Sequence, residues 1–440
     1  MKSIVAVLLF IACAWSFAPA VSDWPYWRGP AADGMAVGDA PLNWSDTQNV
    51  RWKTDIPGRG NSSPVIWGDK VFLTTAIKTG MTPAKEEAAS ASAPAPAPKM
   101  QLSTPGPQVE HQFVVLCLDR KNGKILWQQT ATTATPHEGH HPTYGSFASN
   151  SPVTDGKHVY AFFGSRGMYC YDMKGKLIWK KDFGVQMRMR MAFGEGQAPV
   201  ISGERLILVF DYEGDSFMAV LDKNTGKEIW RVKRDEPTNW AAPLAVEYGG
   251  LKQIVVSAPR KVRSYAVDSG EVIWECAGLG VNTIPQPVRQ EDLVFAMSGY
   301  QNPKLMAIRL GRTGDLTGTD AVVWSQTKGN SYTASPVIHE NKLYVLTDNG
   351  MLSCYNARTG EPYYHQTRLP KTYSFKASPV GANGKLYLAS ENEDVVVVRM
   401  GEKFEVLATN TMTDQMFVAT PAIYGGEILL RSQTRLYCIQ

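Results

Sequence analysis

From Asn61 to the C-terminus the chain alternates short apolar runs with turn residues, the pattern of strands joined by tight connections. The runs group into a phrase of about 42 to 52 residues that recurs along the chain. Each phrase opens on a small residue, a proline and then a small or branched residue. The openings are Ser63-Pro64-Val65, Ser151-Pro152-Val153, Ala198-Pro199-Val200, Ala242-Pro243-Leu244, Gln286-Pro287-Val288, Ser335-Pro336-Val337, Ser378-Pro379-Val380 and Thr420-Pro421-Ala422. After each comes a turn and an alternating strand, as in Gly68-Asp69-Lys70-Val71-Phe72-Leu73 and Asn341-Lys342-Leu343-Tyr344-Val345-Leu346. A third strand ends in Asp or a substitute, most clearly at Asp119, Asp172 and Asp222. A glycine-containing hairpin turn then leads into a fourth strand that carries Trp127, Trp179, Trp230, Trp274 or Trp324.

Four short strands cannot bury both faces of their own sheet, so such units stack around an axis, with the indoles filling the wedge between neighbours. The pattern predicts an all-β fold: an eight-bladed β-propeller of four-stranded antiparallel blades. The last repeat stops at Leu436-Tyr437-Cys438-Ile439-Gln440, after its third strand. The missing strand stands at the other end of the chain, in Asn49-Val50-Arg51-Trp52-Lys53-Thr54, so pairing of the two termini closes the ring and removes its exposed edges. Repeat six carries Tyr364 in place of tryptophan, and repeat seven has lost both the Asp and the tryptophan. Two smaller barrels or an open solenoid would need a linker between cores or a capped end, and neither is visible. Residues 49–440 therefore read as one propeller, preceded by an extension over 21–48 that packs on it. The Ala-, Pro- and Ser-rich stretch from Ile77 to Glu110 cannot form a core and reads as a disordered surface loop inside blade one.

Charge and composition narrow the function. A net charge of +4, with no clustered basic stripe, makes nucleic acid a poor partner. Residues 1–20 pair Lys2 with an apolar run and small residues around Pro19, as a secretory signal cut after Ala20 does. A second reading takes Phe10-Ile11-Ala12-Cys13 as a lipobox, with a lipid anchor at Cys13. No other stretch approaches the ~20 apolar residues of a transmembrane segment. The expectation is export to the periplasm or beyond.

The phrase Asp222-Lys223-Asn224-Thr225-Gly226-Lys227-Glu228-Ile229-Trp230 resembles the tryptophan-docking motif of propellers with pyrroloquinoline-quinone (PQQ) type repeats. That superfamily includes quinoprotein alcohol dehydrogenases and outer-membrane assembly propeller lipoproteins. The segment Asp23-Trp24-Pro25-Tyr26-Trp27-Arg28-Gly29-Pro30, with the later Gly58-Arg59-Gly60-Asn61, is similar to exported bacterial PQQ-like repeat proteins. The resemblance implies the fold and structural, blade-docking roles for Trp52, Trp127, Trp179, Trp230, Trp274 and Trp324; it does not imply a cofactor. The dehydrogenase branch uses a vicinal Cys-Cys disulfide, a calcium held by acidic and amide groups, and a catalytic aspartate. This chain has no adjacent cysteines and no C-x-x-C-H haem motif. No cofactor is expected, with PQQ plus calcium as the alternative.

Other candidates have ordinary readings beside the functional ones. His137-Glu138-Gly139-His140-His141 is the densest metal-capable cluster, and His137, His140 and His141 could hold zinc; the plain alternative is a polar loop. Asp211-Tyr212-Glu213-Gly214-Asp215 resembles part of a calcium loop but lacks its terminal carboxylate, which favours a tight turn. Met187 to Met191, interleaved with Arg188 and Arg190, offers a contact surface or a blade connection. Cys117, Cys170, Cys354 and Cys438 share one repeat position, filled elsewhere by Val220, Ala266 and Ala307, so they read as buried packing; Cys276 reads as unpaired. No phosphate loop or G-x-S-x-G elbow appears. The leading expectation is a non-catalytic binding or scaffold propeller for a protein, peptide or glycan partner. An outer-membrane assembly factor is the runner-up, and a PQQ- or metal-dependent oxidoreductase is the enzyme alternative.

Overall fold

The computed structural model describes residues 22–80, 106, 107 and 109–440. The signal segment, the anchor at Cys13 and most of the blade-one insertion lie outside the described residues. Among the described residues no helix is long and apolar enough to cross a membrane.

Eight sheets, each built on four antiparallel strands, follow one another around an axis; seven take those strands in chain order from the inside outward, and the eighth takes its outermost from the N-terminal end of the described chain. The second and third strands of each blade are near-continuous apolar runs, because sheets cover both their faces; Val395 to Val398, for example, is wholly buried. Fourth strands such as Glu228–Lys233 alternate, with one side open to water. The eighth sheet closes as expected: Val50–Asp55 pairs antiparallel with Arg435–Ile439. Glu427, buried on the neighbouring strand, takes Arg51 of the closing strand and Arg120 of blade one together, which ties the seam to the next blade.

The tryptophans do more than fill wedges. Each of five indoles donates its N–H to a carbonyl in the following blade's hairpin turn: Trp52 to Arg120 (2.7 Å), Trp127 to Met173 (3.3 Å), Trp179 to Lys223 (3.0 Å), Trp230 to Val267 (2.9 Å) and Trp324 to Ala357 (2.9 Å). Turn glycine is required beneath the ring. Gly226 has φ 69°, and a Cβ there would stand 2.5 Å from Trp179. Trp274 is the exception. The turn of blade five has grown into a segment whose Gly314–Asp315 pairs parallel with Trp274 and Glu275, giving blade four a fifth strand. The Trp274 ring is wholly buried there, and its N–H has no hydrogen-bond partner among the described residues. Tyr364 packs edge-on against Phe404 of blade seven, an apolar substitute for the missing docking bond.

Two boundaries differ from the sequence reading. The second strand of blade one runs through Lys78 and the third begins at His111, whose partner is Lys78, so the hairpin is longer and the insertion shorter than expected. The blade-four equivalent of the shared cysteine position is Ser264, which faces Trp274, and not Ala266. Asp268 lies inside the turn; Ala266 takes the place of the strand-ending Asp, its N–H bonding Glu271 as Asp119 bonds Lys124. The five described cysteines are all buried and unpaired.

Candidate functional site: an axial cup

The small residue that opens each repeat has a specific task. The backbone N–H of Gln286 donates to Ser335 Oγ (2.9 Å), Ser335 to Ser378 (2.8 Å), Ser378 to Thr420 (3.1 Å), Thr420 to Ser63 (3.0 Å) and Ser63 to Ser151 (2.8 Å). This belt of hydroxyls joins blades five, six, seven, eight, one and two around the axis. Ala198 and Ala242 interrupt it. Carboxamides take over there: Asn150 donates to the Gln197 carbonyl (2.6 Å), Gln197 to Asn239 (2.8 Å) and Gln286 back to Pro243 (3.0 Å).

One end of the channel is closed by the N-terminal extension. Trp24 pairs with Ile66 of blade one, and Gly34 and Ala36 pair with Gly381 of blade seven, so residues between them cross the axis. Arg28 is wholly buried on that path, donating to the carbonyls of Pro336 and Pro379 (2.6 Å each). Burial pushes its guanidinium down to about 10, against the opposing pull of the Asp33 carboxylate. Tyr26 accepts from Gln286 (3.0 Å), and Trp27 becomes the floor of a cavity of about 220 Å³ that opens at the other end.

The cup wall follows a rule. The residue two positions before every repeat opening lines it: Asn61, Ser149, Gly196, Trp240, Ile284, Thr333, Lys376 and Val418. Eight blades thus contribute eight different side chains at one structural position. Tyr144, Phe193, Glu195 and Tyr332, from the same connections, complete the wall. Glu195 accepts from the N–H and the hydroxyl of Ser165 (2.6 Å each). Gly164, at φ 55°, leaves the space its carboxylate needs, since a Cβ would collide with Oε2. Burial pushes the Glu195 carboxyl up to about 7, against the bonds from Ser165. Glu138, behind it, is pushed up to about 7 by the same cause, against the N–H of Met189. Lys376 bonds Asp348 (3.0 Å) and lies over the Tyr144 ring.

The histidine cluster lies on this side of the ring, but its rings do not converge. His137 uses one nitrogen on the Met187 carbonyl (2.8 Å) and the other on Arg166 (3.2 Å). His140 bonds the His141 carbonyl (2.9 Å), and His141 stacks on Tyr144 at 3.5 Å. Burial pushes all three imidazoles down. Among the described residues no three His, Cys, Asp or Glu side chains form a group able to hold a metal ion. Asp211 is part of a tight turn, buried in a two-pronged bond with Arg234 (2.7 and 2.9 Å) and accepting from Asn239 (3.0 Å). Of the Met187 to Met191 stretch, Met187 and Met189 are buried and Met191 is exposed. Sequence reasoning missed Glu195, Trp240, Phe193, Tyr332 and Lys376. The signal was their place just ahead of a repeat opening.

The ring of repeats has a counterpart among known proteins. Residues 111–320 and 312–439 match a family described as outer membrane protein assembly factor BamB. The chain belongs to this family. A BamB from Legionella pneumophila (strain Paris) is 24% identical over 226 residues, which are 47% of this chain and 50% of that protein. The chain thus spans about half the length of this curated relative. In three dimensions the chain is similar to BamB from Moraxella catarrhalis, with a TM-score of 0.56 and 11% identity over 88% of this chain and 98% of that one. It is similar as well to the quinohemoprotein alcohol dehydrogenase of Comamonas testosteroni, with a TM-score of 0.63 and 9% identity over 94% and 80%. At these identities the structural likeness is one of fold.

Proposed function

We propose that this member of the BamB family is an exported, non-catalytic binding propeller that receives a partner at the open end of its axial cup. The observation that carries this reading is the one-sided cup itself, with one variable position from each blade on its wall and Trp27 as its floor, held by the buried Arg28 next to it. A repeat scaffold that varies at one converging position is built to present a surface. The family description supports, as the more specific form, a protein partner in outer-membrane protein assembly.

The quinone alternative meets a poor donor set. Calcium takes six to eight oxygens, and a quinone bearing several carboxylates needs several cations. The wall offers one carboxylate, Glu195, engaged by Ser165, and one ammonium, Lys376, engaged by Asp348. These residues do not fit PQQ with calcium.

A photo-crosslinking residue in place of Tyr300, exposed beside Tyr332 at the mouth, tests the proposal in cells. Cross-links to a protein are expected there and not at Asn224, in a docking turn at the plugged end. Cross-links only at Asn224 would overturn it, and saturable calorimetric binding of PQQ with calcium would revive the enzyme reading. Co-purification with a barrel-insertion complex would support the assembly role.

A further inference from the structure

The cup wall has a chemistry of its own. Five aromatic rings line one cavity: Trp27 as floor, with Phe193, Trp240, Tyr332 and Tyr144 around it, the last already stacked with His141. Aromatic faces carry negative potential, and several rings about one small space attract a cation that needs no hydrogen bonds. Glu195 adds a carboxyl to the same wall, one that carries its charge only as pH rises through about 7 and that makes no ion pair within 4 Å among the described residues. Its nearest cation behind the wall, Arg166, is spent on the Thr135 carbonyl and His137.

The one ammonium on the wall does not reverse this sign. Lys376 lies 3.0 Å from Asp348 and 3.8 Å from Glu391, so two carboxylates outweigh it. It sits over Tyr144 at 5.0 Å, a cation already held on one of these rings. Arg190 opposes the field from the Tyr332 side, outside the wall. The volume, about 220 Å³, falls below the ~300 Å³ of pockets for drug-sized ligands and suits a compact headgroup.

We propose that the axial cup is an aromatic cage for a methylated ammonium group, of the trimethylammonium class. A primary amine would demand strong acceptors for its three protons. Both oxygens of Glu195 are already engaged by Ser165, and the hydroxyls of Ser63, Ser151, Ser378 and Thr420 already accept backbone N–H groups, so the wall has few uncommitted strong acceptors to set against its ring faces. The trimethylammonium group could arrive as a free solute or as a lipid headgroup. The inference rests on the reading of the cup as the binding end, and not on a protein partner.

The test is titration of the purified mature chain with choline, followed by tryptophan fluorescence and calorimetry, beside 3,3-dimethyl-1-butanol, its neutral isostere. Choline is expected to bind at least about tenfold more tightly than the isostere, and more tightly than ethanolamine. Glu195→Gln should remove most of that preference, and Trp240→Phe should weaken choline less than Trp240→Ala, with thermal midpoints recorded to separate binding from folding. Flotation with vesicles of phosphatidylcholine against phosphatidylglycerol tells the headgroup source from the free one. Equal binding of choline and isostere, tighter binding of ethanolamine, or no binding of either choline or phosphatidylcholine overturns the proposal. Choline binding with no cross-links at Tyr300 would sink the protein-partner reading and leave this one standing.

Discussion

Six blades of the ring form a regular part and two an irregular part, and the two parts are held at the axis by different means. Blades five to eight, one and two share a belt in which one backbone N–H and one hydroxyl repeat from blade to blade. Blades three and four open on Ala198 and Ala242 and depend instead on carboxamides and on the buried Asp211–Arg234 pair. The cup wall draws Phe193, Glu195 and Trp240 from this irregular part. Where the repeat gives up its shared hydrogen bond, the backbone is released from the rule and individual side chains can be placed. The irregular blades thus add two of the five rings and the one carboxyl to a wall whose positions the repeat itself sets.

Asp211→Ala tests the irregular part most severely. It strands the wholly buried Arg234 guanidinium, whose proton affinity the Asp211 carboxylate raises against burial, and should cost ~3–5 kcal/mol in urea unfolding. A loss under 1 kcal/mol would show that the pair is replaceable and that both parts rest on the belt. In the regular part, Ser378→Ala leaves the Ser335 N–H without its acceptor. Chemical denaturation should register about 1–3 kcal/mol of destabilisation.

A weaker contrast lies in pH dependence. Glu195 and Glu138 titrate near about 7 in the fold against an ordinary 4.5, so the native state holds protons that the unfolded chain has released. Native protons exceed unfolded ones between those values, and stability should fall as pH rises from about 4.5 through about 7. The double variant E138Q/E195Q should flatten that slope in thermal melts; an unchanged slope would mean that other groups set it. The smallest effect is expected from Ala198→Ser, which offers the belt one more hydroxyl. A gain of up to about 1 kcal/mol would show that the irregular part keeps the belt geometry, and a loss that it does not.

The eightfold repeat, the closure by Val50–Asp55 and the repeat positions shared by the tryptophans and by the cysteines were legible in the chain alone. Each depends on spacing within one repeat or on a strand missing from one end, and local pattern carries such information. The same locality misled at blade four, where Ala266 stood in for the shared cysteine position that Ser264 occupies, because only the strand pairing opposite Trp274 sets the register. At His137, His140 and His141 sequence proximity left zinc and a polar loop as alternatives; neighbours in sequence, their rings turn to separate partners in space. The cup was decided by tertiary structure. Its residues are a whole repeat apart and meet only when the ring closes, and the floor at Trp27 exists only because the extension crosses the finished channel and anchors Arg28 on two far blades.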